Sequence, residues 1–241
     1  MPGSIRLYVT VPLHAGVAIE ATVAQTHYLG VVMRRGQGDT VRLFNGRDGE
    51  WSATVAALSK RRATLSVDAR LREQRDELDL WLAWSPLKRD ATELVVQKAT
   101  ELGVSALLPV WTERAVVTRL NAERLAAIAT EAAEQCERLS IPHLAEPVRL
   151  PVLLSSWPRE RTLFAAVERQ GTTERQGTAA LAPARGPAGL LIGPEGGFAP
   201  GELDALAACP FVVRATLGPR ILRAETAAIA GLALLGAHAG G

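Results

Sequence analysis

Two incompatible hydrophobic patterns share this chain, and the change from one to the other limits its fold more than any other feature. From Arg6 to Val67 the apolar residues fall in short runs, Val41-Arg42-Leu43-Phe44, Trp51 to Leu58 and Ala63 to Val67. Turn-forming pairs, Asn45-Gly46 and Asp48-Gly49, separate them, as expected for strands of a small barrel or sandwich. A charged stretch follows, Arg70 to Asp79, in which seven of ten residues are Arg, Glu or Asp. It has no apolar period and reads as a linker. From Leu78 to Trp84 onward, buried strands alternate with amphipathic helices, the pattern of an α/β domain with a parallel sheet. A length of 241 residues accommodates two domains, and the expected division is 1–72 and 73–241.

The helices of the second part can be located by period and caps. Asp90, with Glu93 three residues on, resembles a capping box, and Ala91, Leu94, Val95, Ala99 and Leu102 form one apolar face ending at Gly103. A second helix starts near Asn121, carries Leu125, Ile128, Ala129, Ala132, Cys136 and Leu139 at spacings of three and four, and must stop before Pro142. Cys136 is thereby expected in the packing. The segment Arg169 to Pro187 lacks any sustained period and is expected to be a surface loop or lid. Ala227 to Ala237 is the longest uncharged apolar run, too short to span a bilayer, and reads as a helix packed closely on all sides. Two distant cysteines, no CxxC pair and no secretory signal favour a reducing cytoplasm.

Several chemistries are excluded early. A net charge of +2 does not by itself argue for a nucleic-acid partner. Neither GxxxxGK[ST] nor GxGxxG occurs, no G-x-S-x-G elbow is present, and the four scattered histidines offer no metal set. What remains is a pair of strand-to-turn junctions. Gly189 to Gly193 is a buried-strand signature running into Pro194-Glu195-Gly196-Gly197-Phe198; Phe211 to Leu217 is a second strand ending at Gly218-Pro219. Small residues at the carboxyl end of a parallel strand let a ligand approach the backbone, although glycines also serve turns that touch nothing. Arg220, Arg223 and Glu225 then crowd before the apolar helix, either as site charges or as solvated ones at a helix start.

Ile192-Gly193-Pro194-Glu195-Gly196-Gly197-Phe198, followed about twenty residues later by Leu217-Gly218-Pro219-Arg220-Ile221-Leu222-Arg223-Ala224-Glu225-Thr226-Ala227, closely resembles the ribosomal RNA small-subunit methyltransferase E family of the SPOUT superfamily. Gln97 to Val104, Pro109, Glu113-Arg114, Glu131 to Gln135, Arg138 and Pro142 agree with it. The resemblance implies an α/β fold: a C-terminal SPOUT-type domain with a trefoil knot over 73–241, preceded by a small PUA-like, RNA-binding β-barrel over 1–72. It implies S-adenosylmethionine as cofactor, with no metal, and transfer of its methyl group to N3 of a uridine in 16S ribosomal RNA. The cofactor would lie against Val167, Ile192, Gly193, Pro194, Glu195, Gly196, Gly197, Leu217, Gly218, Ile221 and Leu222.

Because uracil N3 must lose a proton to become nucleophilic, cations against the developing oxygen charge would help, and Arg220 and Arg223 are the candidates. Glu225 is the nearest motif carboxylate for the base, with a helix-start role equally open to it; Thr226 completes the catalytic set. RNA contacts are expected from Arg6, Arg34, Arg35, Arg114 and Arg138, whereas Lys60-Arg61-Arg62 reads as a solvated turn. The partners implied are 16S ribosomal RNA or the small ribosomal subunit and a second copy of the chain, with no membrane, in the cytoplasm. The chain departs from the family pattern at Ala224, Glu137, Ser140 and Ala199. Competing readings are another SPOUT enzyme acting on ribose 2′-OH or transfer RNA, and a non-catalytic RNA-binding ribosome assembly factor.

Overall fold

A computed structural model describes residues 5–167, 179–181 and 186–237, which fall into two compact units. One unit comprises residues up to Asp76 together with Ala133–Ile141; the other comprises Glu77–Ala132 and Pro142 onward. Among the described residues no helix is long and apolar enough to cross a membrane.

The first unit is built on a five-stranded sheet. Its strands are β1 (Arg6–Tyr8), β2 (Ala18–Glu20), β3 (Thr40–Phe44), β4 (Glu50–Leu58) and β5 (Ala63–Arg72), in the order β1-β3-β4-β5-β2. Pairing is antiparallel except between β1 and β3. Alternation along the strands puts Leu7, Val41, Leu43, Ala53, Val55, Leu65 and Val67 in one apolar core. A short helix α1 (Val23–His27), capped by Thr22, runs into a five-residue π-turn, Tyr28–Val32, that drops Leu29 into the same core. The charged stretch is not linker from its start: Arg70, Leu71 and Arg72 extend β5. Arg72 is held there because its guanidinium donates to both oxygens of Glu50 at 2.9 Å and to the carbonyl of Glu137 at 2.9 Å.

Glu50 is wholly buried and is the hub of this unit. Arg6 donates from Nε to Glu50 at 2.6 Å, and its two terminal nitrogens reach the carbonyls of Ala133, Glu134 and Arg138 at 2.7 to 2.9 Å. Its guanidinium also lies 4.4 Å from the centre of the Phe44 ring. Ala133 and Glu134 end a helix, where carbonyls lack intrahelical partners and the backbone dipole favours a cation. Burial pushes the Glu50 carboxyl upward, but the hydrogen bonds from Arg72 and Arg6 outweigh it and hold the group below its ordinary value.

The second unit carries a parallel sheet. Its strands are β6 (Leu80–Trp84), β7 (Ala106–Trp111), β8 (His143–Leu144), β9 (Val148–Arg149), β10 (Thr162–Ala166), β11 (Ala179–Ala180), β12 (Ala188–Ile192) and β13 (Val212–Thr216). The order is β11-β13-β10-β12-β6-β7-β8, with β9 also on β7. The segment Arg169 to Pro187 lies outside the described residues except at 179–181 and 186–187. Ala179–Ala180 is not loop but a strand on β13, because its backbone completes that edge.

Helix α2 (Arg89–Glu101) stops where expected, with Gly103 following at φ 83°. Its start differs: Lys88 is the cap residue, and the Thr92 hydroxyl, bonded to both backbone groups of Leu87, satisfies the entry that Asp90 was expected to hold. The buried face is Thr92, Val95, Val96, Ala99 and Thr100, so Leu94 is exposed. Glu93 instead receives Arg124 and Arg89, whose hydrogen bonds lower its carboxyl to about 2. Helix α3 (Ala122–Gln135) ends earlier than the apolar spacing suggested, because Glu137 adopts a left-handed backbone, φ 63°. Cys136 falls past the helix end and is exposed rather than packed. Helix α4 is Leu150–Ser156, α5 is Pro200–Ala207, and α6 is Ala224–Gly236. In α6 the buried face is Ala224, Ala228, Gly231, Leu232 and Leu235, against α2 and β12. Thr226, Ala233 and Leu234 are exposed, so the helix is not covered on all sides within one chain.

Candidate small-molecule and RNA site

Three parallel strands, β10, β12 and β13, end side by side, and a cavity of about 580 Å³ opens at their carboxyl ends. That is within the size range of small-molecule sites and at the end of the sheet where open α/β folds bind them. Its walls are two turns. The first follows β12: the Gly197 N–H bonds the Pro194 carbonyl at 2.9 Å, closing the Pro194–Gly197 turn. A Cβ at Gly193 would stand 2.9 Å from the Phe198 ring, so only glycine lets that buried ring seat against the strand end. The second turn follows β13, where Gly218 takes φ 118°, open to glycine and strained for other residues. The Thr216 hydroxyl donates to the Gly218 carbonyl at 3.3 Å.

Second contacts fix these turns from behind. Glu202 on α5 accepts from the Ala199 N–H and from the Glu113 N–H, each at 2.8 Å, the half of a capping box that needs no side chain at Ala199. Arg114 donates to the Gly196 carbonyl at 3.0 Å.

Val167, Ile192, Gly193, Pro194, Glu195, Gly196, Gly197, Leu217, Gly218, Ile221 and Leu222, named from the sequence as cofactor residues, all line this one cavity. Arg220 and Arg223 line it as well, exposed, and their side chains make no hydrogen bond or ion pair with any described residue. Glu225 and Thr226 do not line it. They occupy the first turn of α6, whose residues on the cavity are Ala224 and Ala227. Glu195 is the carboxylate that does line the cavity.

Lys88, Ala166, Phe198, Leu203, Arg214 and Thr216 belong to the same wall and were not picked out from the sequence. One signal was available, since Arg214 is a charge inside an otherwise uncharged strand. Lys88 gave none, because its position depends on where α2 begins relative to β12.

The five arginines expected on RNA part company. Arg6 and Arg138 are buried, 5% and 8% exposed, and Arg6 is committed to Glu50 and helix-end carbonyls, so neither presents a guanidinium to a polymer. Arg114 is exposed but bonded to the Gly196 turn. Arg34 is exposed in the first unit, with a left-handed backbone at φ 51°, and Arg35 beside it is half-buried. Among the described residues no cluster of His, Cys, Asp or Glu could hold a metal ion.

Residues 74–236 match the RNA methyltransferase domain family, and residues 22–68 match the RNA methyltransferase PUA domain family. A Rickettsia conorii protein named ribosomal RNA small subunit methyltransferase E is 32% identical, over 97% of this chain and 96% of its own. One of the same name from Synechocystis is 34% identical over 91% of this chain and 74% of its own. The solved structure of a Legionella pneumophila protein taken to be a methyltransferase, with SAM bound, has a TM-score of 0.86 at 30% identity over 98% of each chain. A Neisseria gonorrhoeae ribosomal RNA small subunit methyltransferase E bound to S-adenosyl methionine gives 0.82 at 26% identity over 96% of each chain.

Proposed function

The chain belongs to the ribosomal RNA small subunit methyltransferase E family, and from that premise we propose that it methylates N3 of a uridine in 16S ribosomal RNA, with S-adenosylmethionine as donor. The observation that carries this reading is the cavity at the ends of β10, β12 and β13, lined by both glycine turns and by Arg220 and Arg223, which form no ion pair with any described residue. The residues fit such a cofactor: Gly193, Gly196, Gly197 and Gly218 add no side chain to the walls, and apolar Val167, Ile192, Leu217 and Leu222 suit an adenosine. When bound, S-adenosylmethionine supplies an electrophilic methyl group on a sulfonium.

The chain's own contribution is placement and charge. Displacement at a methyl group demands alignment above all, which rigid strand ends and braced turns supply. Loss of the N3 proton leaves negative charge on the flanking uracil oxygens, and Arg220 and Arg223 stand at the cavity wall to meet it. Glu195 takes the place of Glu225 as the group positioned to accept that proton. The uridine must be unpaired to present N3, so its flanking strand needs a basic surface, for which Arg34 and Arg35 in the PUA-like unit remain. The second unit is, on this reading, a SPOUT domain with a trefoil knot, and the enzyme works in the cytoplasm.

Purified protein, S-adenosylmethionine and small subunits or 16S RNA from cells lacking the gene are expected to yield 3-methyluridine by nucleoside mass analysis. A 2′-O-methyl product would transfer the reading to another SPOUT activity, and cofactor binding without any product would favour an assembly factor. The exposed face of α6, with Ala233 and with Leu234 at 43% exposure, together with Ile221 at 76%, supports a homodimer. Sedimentation at micromolar concentration should therefore show twice the chain mass; a monomer would contradict it.

A further inference from the structure

Strand β13 carries a charge where its neighbours carry none. Arg214 stands between Val213 and Ala215, opposite Ala165 on β10, with β11 hydrogen-bonded along the other side of the strand. The residue is half-buried, and its Nε is enclosed without a hydrogen-bond partner among the described residues. No described carboxylate pairs with it. By strand alternation Arg214 shares a face with Thr216, and both line the cavity. Leaving an enclosed donor of a permanently charged group unpaired is costly, so such a group is retained where an anion arrives.

The depth of Arg214 selects among anions. Arg220 and Arg223 are exposed on the turn after the strand, where a polymer phosphate can reach them. Arg214 is set back within β13, two residues before the strand ends, where a small molecule's carboxylate can be received in the planar, bidentate manner that suits a guanidinium. The lining holds four cations, Lys88, Arg214, Arg220 and Arg223, against one carboxylate, Glu195. We infer that Arg214 binds the carboxylate of the methionine part of S-adenosylmethionine, an assignment that rests on the cofactor reading of this cavity.

Calorimetry with two nucleosides tests it: S-adenosylmethionine, and 5′-methylthioadenosine, which keeps the adenosine and lacks the amino-acid carboxylate. Arg214→Gln is expected to weaken S-adenosylmethionine binding by about 10- to 100-fold, leave 5′-methylthioadenosine binding as in the wild type, and be partly rescued by Arg214→Lys. Retained 5′-methylthioadenosine binding also shows that the variant is folded. Equal loss for both nucleosides would overturn the assignment in favour of a packing role. Unchanged cofactor binding with weaker RNA binding would overturn it in favour of a phosphate contact. A wild-type protein that binds neither nucleoside would remove the cofactor reading itself, and this assignment with it.

Discussion

Replacing Arg220 or Arg223 by alanine is expected to lower the methylation rate by about 10²- to 10³-fold, the usual consequence of removing one group that stabilises developing charge. The two side chains reach the cavity from the turn between β13 and α6 and form no ion pair with any described residue. Their charge is therefore available to the substrate and is not needed to hold the chain together. The loss should fall on kcat, measured in single turnover with saturating RNA, while S-adenosylmethionine affinity changes little. Lysine at either position should recover part of the rate. A rise in KM for RNA with kcat intact would assign the residue to backbone binding instead.

Glu50→Gln is expected to destabilise the first unit by about 3–5 kcal/mol, since it leaves Arg6 and Arg72 facing each other in a site with no carboxylate. For a unit of this size each kcal/mol shifts the melting temperature by about 4–8 °C, so the drop should be at least about 12 °C. The sign of the pH dependence follows from the lowered carboxyl. Glu50 is held below its ordinary value of 4.5, so its contribution is fully present above that pH and is lost as pH falls through the folded-state value. Urea titrations between about pH 6 and pH 3 should show the wild type losing more stability than the variant. Equal acid sensitivity would mean that other carboxylates govern the acid limb.

What the sequence disclosed, it disclosed through local rules. The α2 helix and its stop at Gly103 follow from period and a glycine; the strand Ala188–Ile192 follows from an unbroken apolar run; the two turns that share one cavity follow from their glycines and from motif likeness. What stayed hidden depended on distant partners. Arg6 looked like a surface cation because nothing near it in sequence announces Glu50, 44 residues away, or the carbonyls at 133 to 138. Cys136 fitted a helical spacing that the left-handed Glu137 cuts short. Leu94 and Thr92 exchanged roles because a threonine hydroxyl bonded to Leu87 fixed the phase of α2. Glu225 lay in the motif but one helical position from the residues that face the cavity, a distinction of about 100° that spacing alone does not settle. Arg214 was legible as an oddity and not as a ligand group, because only the sheet register puts it beside β10 and on the cavity wall.

Residues Ala133–Ile141 belong to the first unit although 56 residues of the second, Glu77–Ala132, precede them in the chain. This separation sets an order of events during synthesis. When Asp76 has left the ribosome, Arg6 has Glu50 but none of its three carbonyl acceptors, and the apolar cluster of Phe44 with Ala133 and Leu139 is incomplete. At about 5–20 residues per second the missing piece is complete roughly 3–13 s later. The nascent first unit thus waits, with an unsatisfied arginine, for a segment that cannot arrive until the start of the second unit, through most of α3, has been translated. A chain released before Ala133 would leave Arg6 without those acceptors and Phe44 without that packing.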